Sequence, residues 1–249
     1  MWLDAHIHLD WFLDPAGVSC AAAEKDLGML AVTVTPEGFL SCRQSLEVEK
    51  NVALAAGLHP WWVRAGSDAD ALCELLPSVR WVGEVGLDAS PRHAATWDAQ
   101  LAAFERICET CARMSAPNAP KVLSIHAVWA AGPVLDVLER TGAASTCRCV
   151  LHWFSGSSDE LWRAVDLGCL FSLGERPLAT RRGREYARIL PAERLLTETD
   201  LPEGEGSPAT ADDVISSLER TIAAIADVRG VLASEVRDLV ARNSEALLA

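Results

Sequence analysis

The chain has 249 residues, half of them hydrophobic, and a formal net charge of −13. That length is enough to bury a large core and matches a single α/β barrel, while no apolar run is long enough to span a membrane. The acidic balance argues against broad, sequence-independent binding to a phosphate backbone, but leaves open a cleft whose positive charge comes from bound cations.

Runs rich in apolar and β-branched residues predict strands at 2–8, 29–35, 52–57, 79–85, 122–126, 147–152, 169–173 and 195–199. Helical patterns lie between them. Across 94–114, Trp97, Leu101, Phe104 and Cys108 recur at spacings of three and four, and 132–140 and 159–167 behave similarly. The proline- and glycine-rich stretch 202–208 reads as a strand-to-helix loop, and helices at 211–228 and 234–248 close the fold. Eight strands alternating with helices predict an α/β fold, a single (β/α)8 TIM barrel formed by one domain over residues 1–249. An open doubly wound sheet would be expected to carry a Gly-rich dinucleotide or phosphate turn, and none is present. Cys108 and Cys111 form a CxxC in a helical stretch with no second CxxC, so reduced and mostly buried thiols are expected rather than a zinc site.

Metal-capable residues gather at the predicted strand ends. His6 and His8 of Asp4-Ala5-His6-Ile7-His8 project to one face of the first strand, either as a ligand pair or as two histidines satisfied by hydrogen bonds. Glu84 is placed at the end of the fourth strand, His126 of the fifth and His152 of the sixth, and Asp200 follows the eighth. In a barrel these carboxyl-terminal ends converge on the face where active sites lie. Six ligands suggest two ions: His6, His8 and Asp200 for one, His126 and His152 for the other, and Glu84 between them. No lysine stands at a strand end to bridge instead. Mixed nitrogen and oxygen donors suit zinc, manganese or a similar divalent ion. Two such ions can share an activated water, and Asp200 can act as general base.

The motifs Asp-Ala-His-Ile-His-Leu-Asp (4–10), Gly-Leu-His-Pro (57–60), Gly-Glu-Val-Gly-Leu-Asp (83–88), His-Trp-Phe-Ser-Gly-Ser (152–157) and Glu-Thr-Asp-Leu-Pro (198–202) occur in that order. Together they resemble the TatD family of metal-dependent hydrolases, in the amidohydrolase-like TIM-barrel superfamily. The resemblance spans nearly the whole chain, with Asn243 fitting the family's terminal helix. It implies a phosphodiesterase, typically a DNase acting from a 3′ end, that uses a metal-bound hydroxide bridging two divalent ions (zinc, manganese or magnesium). Carried over by position, it makes His6, His8, Glu84, His126, His152 and Asp200 the metal ligands, with Asp200, Glu84 and His59 catalytic. His59 would contact the scissile phosphate. The family usually has an arginine two residues after the fifth-strand histidine, where this chain has Val128. It usually has aromatics where this chain has Ala89 and Glu203. The metal chemistry is therefore complete in the motifs while the substrate pocket is altered.

Trp61 and Trp62 follow His59 and either stack a substrate base or pack between loops. Arg176, Arg181, Arg182, Arg184 and Arg188 either meet phosphates or line a solvated helix face. The expected substrate is DNA or a small phosphodiester. The alternatives are hydrolysis of another ester or amide by the same centre, or metal binding without turnover. No membrane association and no obligate protein partner is expected. The acidic start argues against a cleavable leader, which would also remove His6 and His8, so a cytoplasmic location is the expectation.

Overall fold

The computed structural model describes residues 1–46 and 49–249. Eight strands are found: β1 Trp2–Ile7, β2 Leu27–Val32, β3 Val52–Ala55, β4 Trp81–Asp88, β5 Val122–Val128, β6 Arg148–His152, β7 Leu170–Leu173 and β8 Leu195–Thr197. They belong to one sheet in the order β3-β2-β1-β8-β7-β6-β5-β4. The described pairings are parallel, and a bridge between Ala56 and Val82 links the two ends of that order. Parallel strands in sequential order, with the first and last linked, are the (β/α)8 barrel expected from the strand–helix rhythm.

The chain divides into two compact units. One comprises Met1–Ala31, Ser41–Leu54 and Phe171–Ala249, the other Val32–Leu40 and Ala55–Leu170. In the first, β1 is buried at every position and pairs with β2 and β8, while the helix Ala233–Leu248 packs on β1 and β8. Asn243 on that helix donates to the carbonyls of Ala192 and Leu195, both at 2.7 Å, which pins the start of β8. In the second, the helix Trp97–Met114 lays Phe104, Ile107, Cys108 and Cys111 inward at helical spacing and packs on β4. Fully burying a side chain of Phe104's size contributes roughly 2–3 kcal/mol. All eight cysteines are free, and Cys108, Cys111, Cys147, Cys149 and Cys169 are buried thiols. Burial pushes the Cys111 thiol above the usual range, away from the reactive thiolate.

Most strand boundaries differ from the sequence reading by a few residues, and three of the differences reposition a predicted ligand. His8 lies just past β1, at the start of a single 3-10 turn over Leu9–Trp11. Glu84 and His126 lie inside their strands, because β4 runs on to Asp88 and β5 to Val128. The β4–β5 register shifts between Val82 and Val85 and then resumes with Gly86 opposite His126 and Asp88 opposite Val128. The irregularity around Glu84 resembles a strand end locally, but pairing continues beyond it. Gly86 sits at φ 141, and a Cβ there would lie 2.1 Å from the His126 carbonyl oxygen, so this close strand approach requires glycine.

Thr33 ties three segments around Glu84. Its carbonyl accepts from the Glu84 amide at 2.9 Å, its amide donates to Gly83 at 3.0 Å, and its hydroxyl accepts from the Gly57 amide at 3.1 Å. The Leu58 amide donates to the Glu84 carbonyl at 3.0 Å, so the glutamate backbone is held on both sides. A Cβ on Gly57 would stand 1.7 Å from the Thr33 carbonyl oxygen and 2.6 Å from the Glu84 nitrogen. Both contacts are backbone, so no side-chain rotation relieves them. Gly57→Ala is expected to cost more than about 4 kcal/mol, among the largest single-residue losses. A thermal melt should show Tm lowered by roughly 10 °C or more; an unchanged melt would refute this close packing.

Candidate metal centre

In the first unit three predicted ligands meet. The Nε2 atoms of His6 and His8 lie 3.8 and 3.5 Å from Asp200 Oδ1. Backbone pairing brings them there: the Asp200 amide donates to the His6 carbonyl at 2.9 Å, and the His8 amide donates to the Leu201 carbonyl at 2.8 Å. Asp200 occupies the left-handed region at φ 58, which aspartate tolerates better than most residues but which still costs about 1 kcal/mol or more. The His8 ring stacks on Trp11, with centroids 4.2 Å apart, which fixes its plane. Asp4 organises this corner from beneath. Its carboxylate accepts from the His6 amide at 3.2 Å, the Thr199 amide at 3.0 Å and the Thr199 hydroxyl at 2.6 Å. Burial nevertheless pushes its carboxyl up to about 7, because these hydrogen bonds only partly offset the loss of solvent. Glu198 is also buried, and its carboxylate accepts from the Ser172 hydroxyl.

In the second unit three imidazoles converge on one carboxylate oxygen. His126 Nδ1 lies 2.7 Å from Glu84 Oε1, His152 Nε2 3.1 Å and His59 Nε2 3.3 Å. His59 precedes the 3-10 turn Pro60–Trp62, and its Nδ1 accepts from the Trp61 amide at 3.1 Å. With Nδ1 accepting, the proton is on Nε2, which donates to Glu84. His126 has carboxylates at both ring nitrogens, since its Nε2 lies 3.4 Å from Asp88 Oδ2. Burial alone would lower its pKa; the hydrogen bonds to Asp88 and Glu84 outweigh this and raise it. Asp88 shows the converse. Burial pushes its carboxyl up, but hydrogen bonds from His126, Ser90 and Trp61 hold it well below the usual range. His152 ends β6, and the next residue, Trp153, is left-handed at φ 42.

Trp61 and Trp62 are both partly exposed, at 44% and 40%, so neither is simply buried packing. Trp61 is fixed by its indole N–H, which donates to Asp88 Oδ2 at 2.6 Å. It stacks on His93 with centroids 5.0 Å apart, so His93 buttresses the tryptophan. Gln100 completes the support. Its Oε1 accepts from the Asp88 amide at 2.8 Å, and its Nε2 donates to the His93 carbonyl at 3.2 Å. Asp88, Asp4 and Glu198 were not assigned roles in the sequence reading. Their one signal was membership of the same short motifs as the ligands.

Both clusters fit a divalent ion. Ligand atoms about 2.1 Å from a common cation lie roughly 3–4 Å apart. The carboxylate–imidazole separations in each cluster, from 2.7 to 3.8 Å, are at or close to that spacing. His6, His8 and Asp200 form one group whose donor atoms all lie within 4.8 Å of one another, and His59, Glu84 and His126 form a second. Nitrogen and carboxylate donors without thiolate suit borderline and hard divalent ions.

Imidazole–carboxylate groups of this kind on a (β/α)8 scaffold define the class of metal-dependent barrel hydrolases. Within that class the chain belongs to the TatD related DNase family, whose profile matches residues 3–249. It is 32% identical over 234 residues to the uncharacterized metal-dependent hydrolase TatD of Mycobacterium tuberculosis, covering 80% of this chain and 79% of that protein. It is 31% identical over 189 residues to the 3′-5′ ssDNA/RNA exonuclease TatD of Citrobacter koseri, covering 70% of this chain and 69% of the relative. The crystal structure of a TatD homologue from Escherichia coli K12 shares the fold, with TM-score 0.79 at 22% identity over 99% of this chain and 97% of that one. The protein is a metal-dependent hydrolase of the TatD family.

Proposed function

We propose that the protein is a phosphodiesterase that shortens single-stranded nucleic acid, DNA foremost, with two divalent ions of zinc, manganese or magnesium. The observation that carries this reading is the pair of imidazole–carboxylate clusters, together with the exonuclease named among its relatives. His6, His8 and Asp200 would hold one ion, and His126, His152 and Glu84 the other. Bound there, divalent ions supply Lewis acidity that lowers the pKa of a water and offsets charge on the phosphoryl oxygens.

The side chains supply the rest. Asp200, which faces both imidazoles through Oδ1, is the base that would take the proton of the attacking water. The His59 Nε2–H, held by Glu84 in the structure, is the donor for a non-bridging phosphoryl oxygen once Glu84 is engaged by a cation. Trp61 and Trp62 offer partly exposed indole faces for a substrate base, and stacking on an aromatic contributes ~1–3 kcal/mol per base. No helix among the described residues is long and apolar enough to cross a membrane, and a cytoplasmic location forms part of this reading.

The test is incubation of the metal-loaded protein with 5′-labelled single-stranded DNA and RNA and with a carboxyl-ester and amide panel. A ladder shortening from the 3′ end is expected. Intact oligonucleotides and intact generic phosphodiesters would overturn the reading. Turnover of esters or amides alone would favour the second reading, hydrolysis of a non-nucleic-acid substrate, which draws on Glu203, an acid held close to Asp200 through Arg176.

A further inference from the structure

The five arginines after β7 do not form one surface. Arg184 donates to Asp227 at 2.7 Å and Arg188 pairs with Glu185 one turn away, both on solvated helix faces. Arg176 differs. Its Nη1 lies 3.7 Å from Asp200 Oδ2, and its Nη2 donates to Glu203. Glu175, next in sequence, does not compete for it. That carboxylate is taken by Arg220 at 2.7 and 2.8 Å and by the Ser217 hydroxyl at 2.7 Å.

We propose that Arg176 is the substrate-phosphate clamp of this chain, and that Glu203 holds it in reserve until an anion displaces the acid. The proposal rests on the phosphodiester reading above. Its reasons are electrostatic. A chain of net charge −13 must bring an anion to a carboxylate-rich site, so a cation at the site decides affinity. Arg176 reaches Asp200 itself. A guanidinium binds phosphate oxygens in a planar fork and is less hydrated than an ammonium, which suits it to this exchange. With its charge engaged by a cation, Asp200 would attract Arg176 less, which would favour the turn of Arg176 toward an anion. Arg176 is 44% exposed on its side chain and Glu203 77%, so the exchange needs no repacking. The pair that must break is a solvent-exposed ion pair, which is weak, so an incoming phosphate can outcompete it.

The proposal predicts opposite effects at two neighbouring positions. Calorimetric titration of the metal-loaded protein with thymidine 5′-monophosphate, and with thymidine as the uncharged control, reads them without turnover. Arg176→Met should bind the monophosphate about ten-fold more weakly, equivalent to about 1.4 kcal/mol, with thymidine unaffected. Glu203→Gln should bind the monophosphate several-fold more tightly, since it loses both a competitor and a repulsive charge. Arg176→Met should also flatten the dependence of monophosphate binding on salt. Thermal melts that match wild type show that both variants fold. Equal monophosphate affinity in wild type and Arg176→Met overturns the clamp. So does a loss in Glu203→Gln that matches the loss in Arg176→Met, which would mark the pair as merely structural. Hydrolysis of bis(p-nitrophenyl) phosphate by wild type is measured alongside. Its absence, with the two variants still moving in opposite directions, overturns the phosphodiester reading and leaves the anion clamp standing.

Discussion

Glu84→Ala is expected to lower kcat/KM by about a thousand-fold or more, the scale of losing a group that stabilises the transition state electrostatically. The side chain is 2% exposed, and one of its oxygens is the common partner of His59, His126 and His152. Removing it deletes a proposed ligand and leaves three buried imidazoles facing a void. Glu84→Gln separates the two effects, because it keeps the volume and removes the charge. Both variants should bind less metal by elemental analysis, and the glutamine variant should melt closer to wild type than the alanine variant. A Glu84→Ala protein with wild-type metal content and more than a tenth of wild-type activity would remove Glu84 from the centre.

Chelation should have a comparably large effect, on both activity and stability. A ligand that binds only the folded state at a hundred times its dissociation constant contributes about 2.7 kcal/mol, roughly 5–10 °C in Tm for a chain of this size. The source of that gain is visible in each unit: Glu84 is buried, Asp200 is held in a left-handed conformation, and the facing imidazoles lie at ligand spacing. EDTA should therefore abolish turnover and lower Tm, and returning zinc or manganese should restore both. Because the imidazoles must be deprotonated to act as ligands, the stabilisation should shrink as the pH is lowered. Identical melts with and without chelator would argue that neither cluster binds a cation tightly.

Much of the fold is legible in the chain because its signals are local. Each strand is a short apolar run and each helix repeats at three and four, so the alternation of strands and helices emerged from periodicity. The helix predicted over 94–114 is a 3-10 turn, Ala94–Thr96, followed by Trp97–Met114, and that over 234–248 is Ala233–Leu248. Periodicity located the elements but misjudged where β4 ends. Its register with β5 shifts around Gly83 and Glu84, and the pairing beyond shows that the strand continues to Asp88. Pairing partners some forty residues apart leave no trace in a local window.

Residue type and position near strand ends determined which groups could serve as ligands, since only imidazoles and carboxylates offer such donors. Sequence thus marked His6 and His8, the motif neighbours one residue apart with which the chain begins, as a pair pointing the same way. The tertiary structure decided what surrounds them and the other candidates. It set Asp200 Oδ1 against both imidazoles, fixed Trp61 through Asp88 with His93 stacked behind it, and singled out Arg176 from five arginines by bringing it to Asp200. The physical reason is the range of the forces. Propensity and periodicity act over a few residues along the chain, whereas hydrogen bonds and charge pairs act over a few ångströms between residues that only folding brings together.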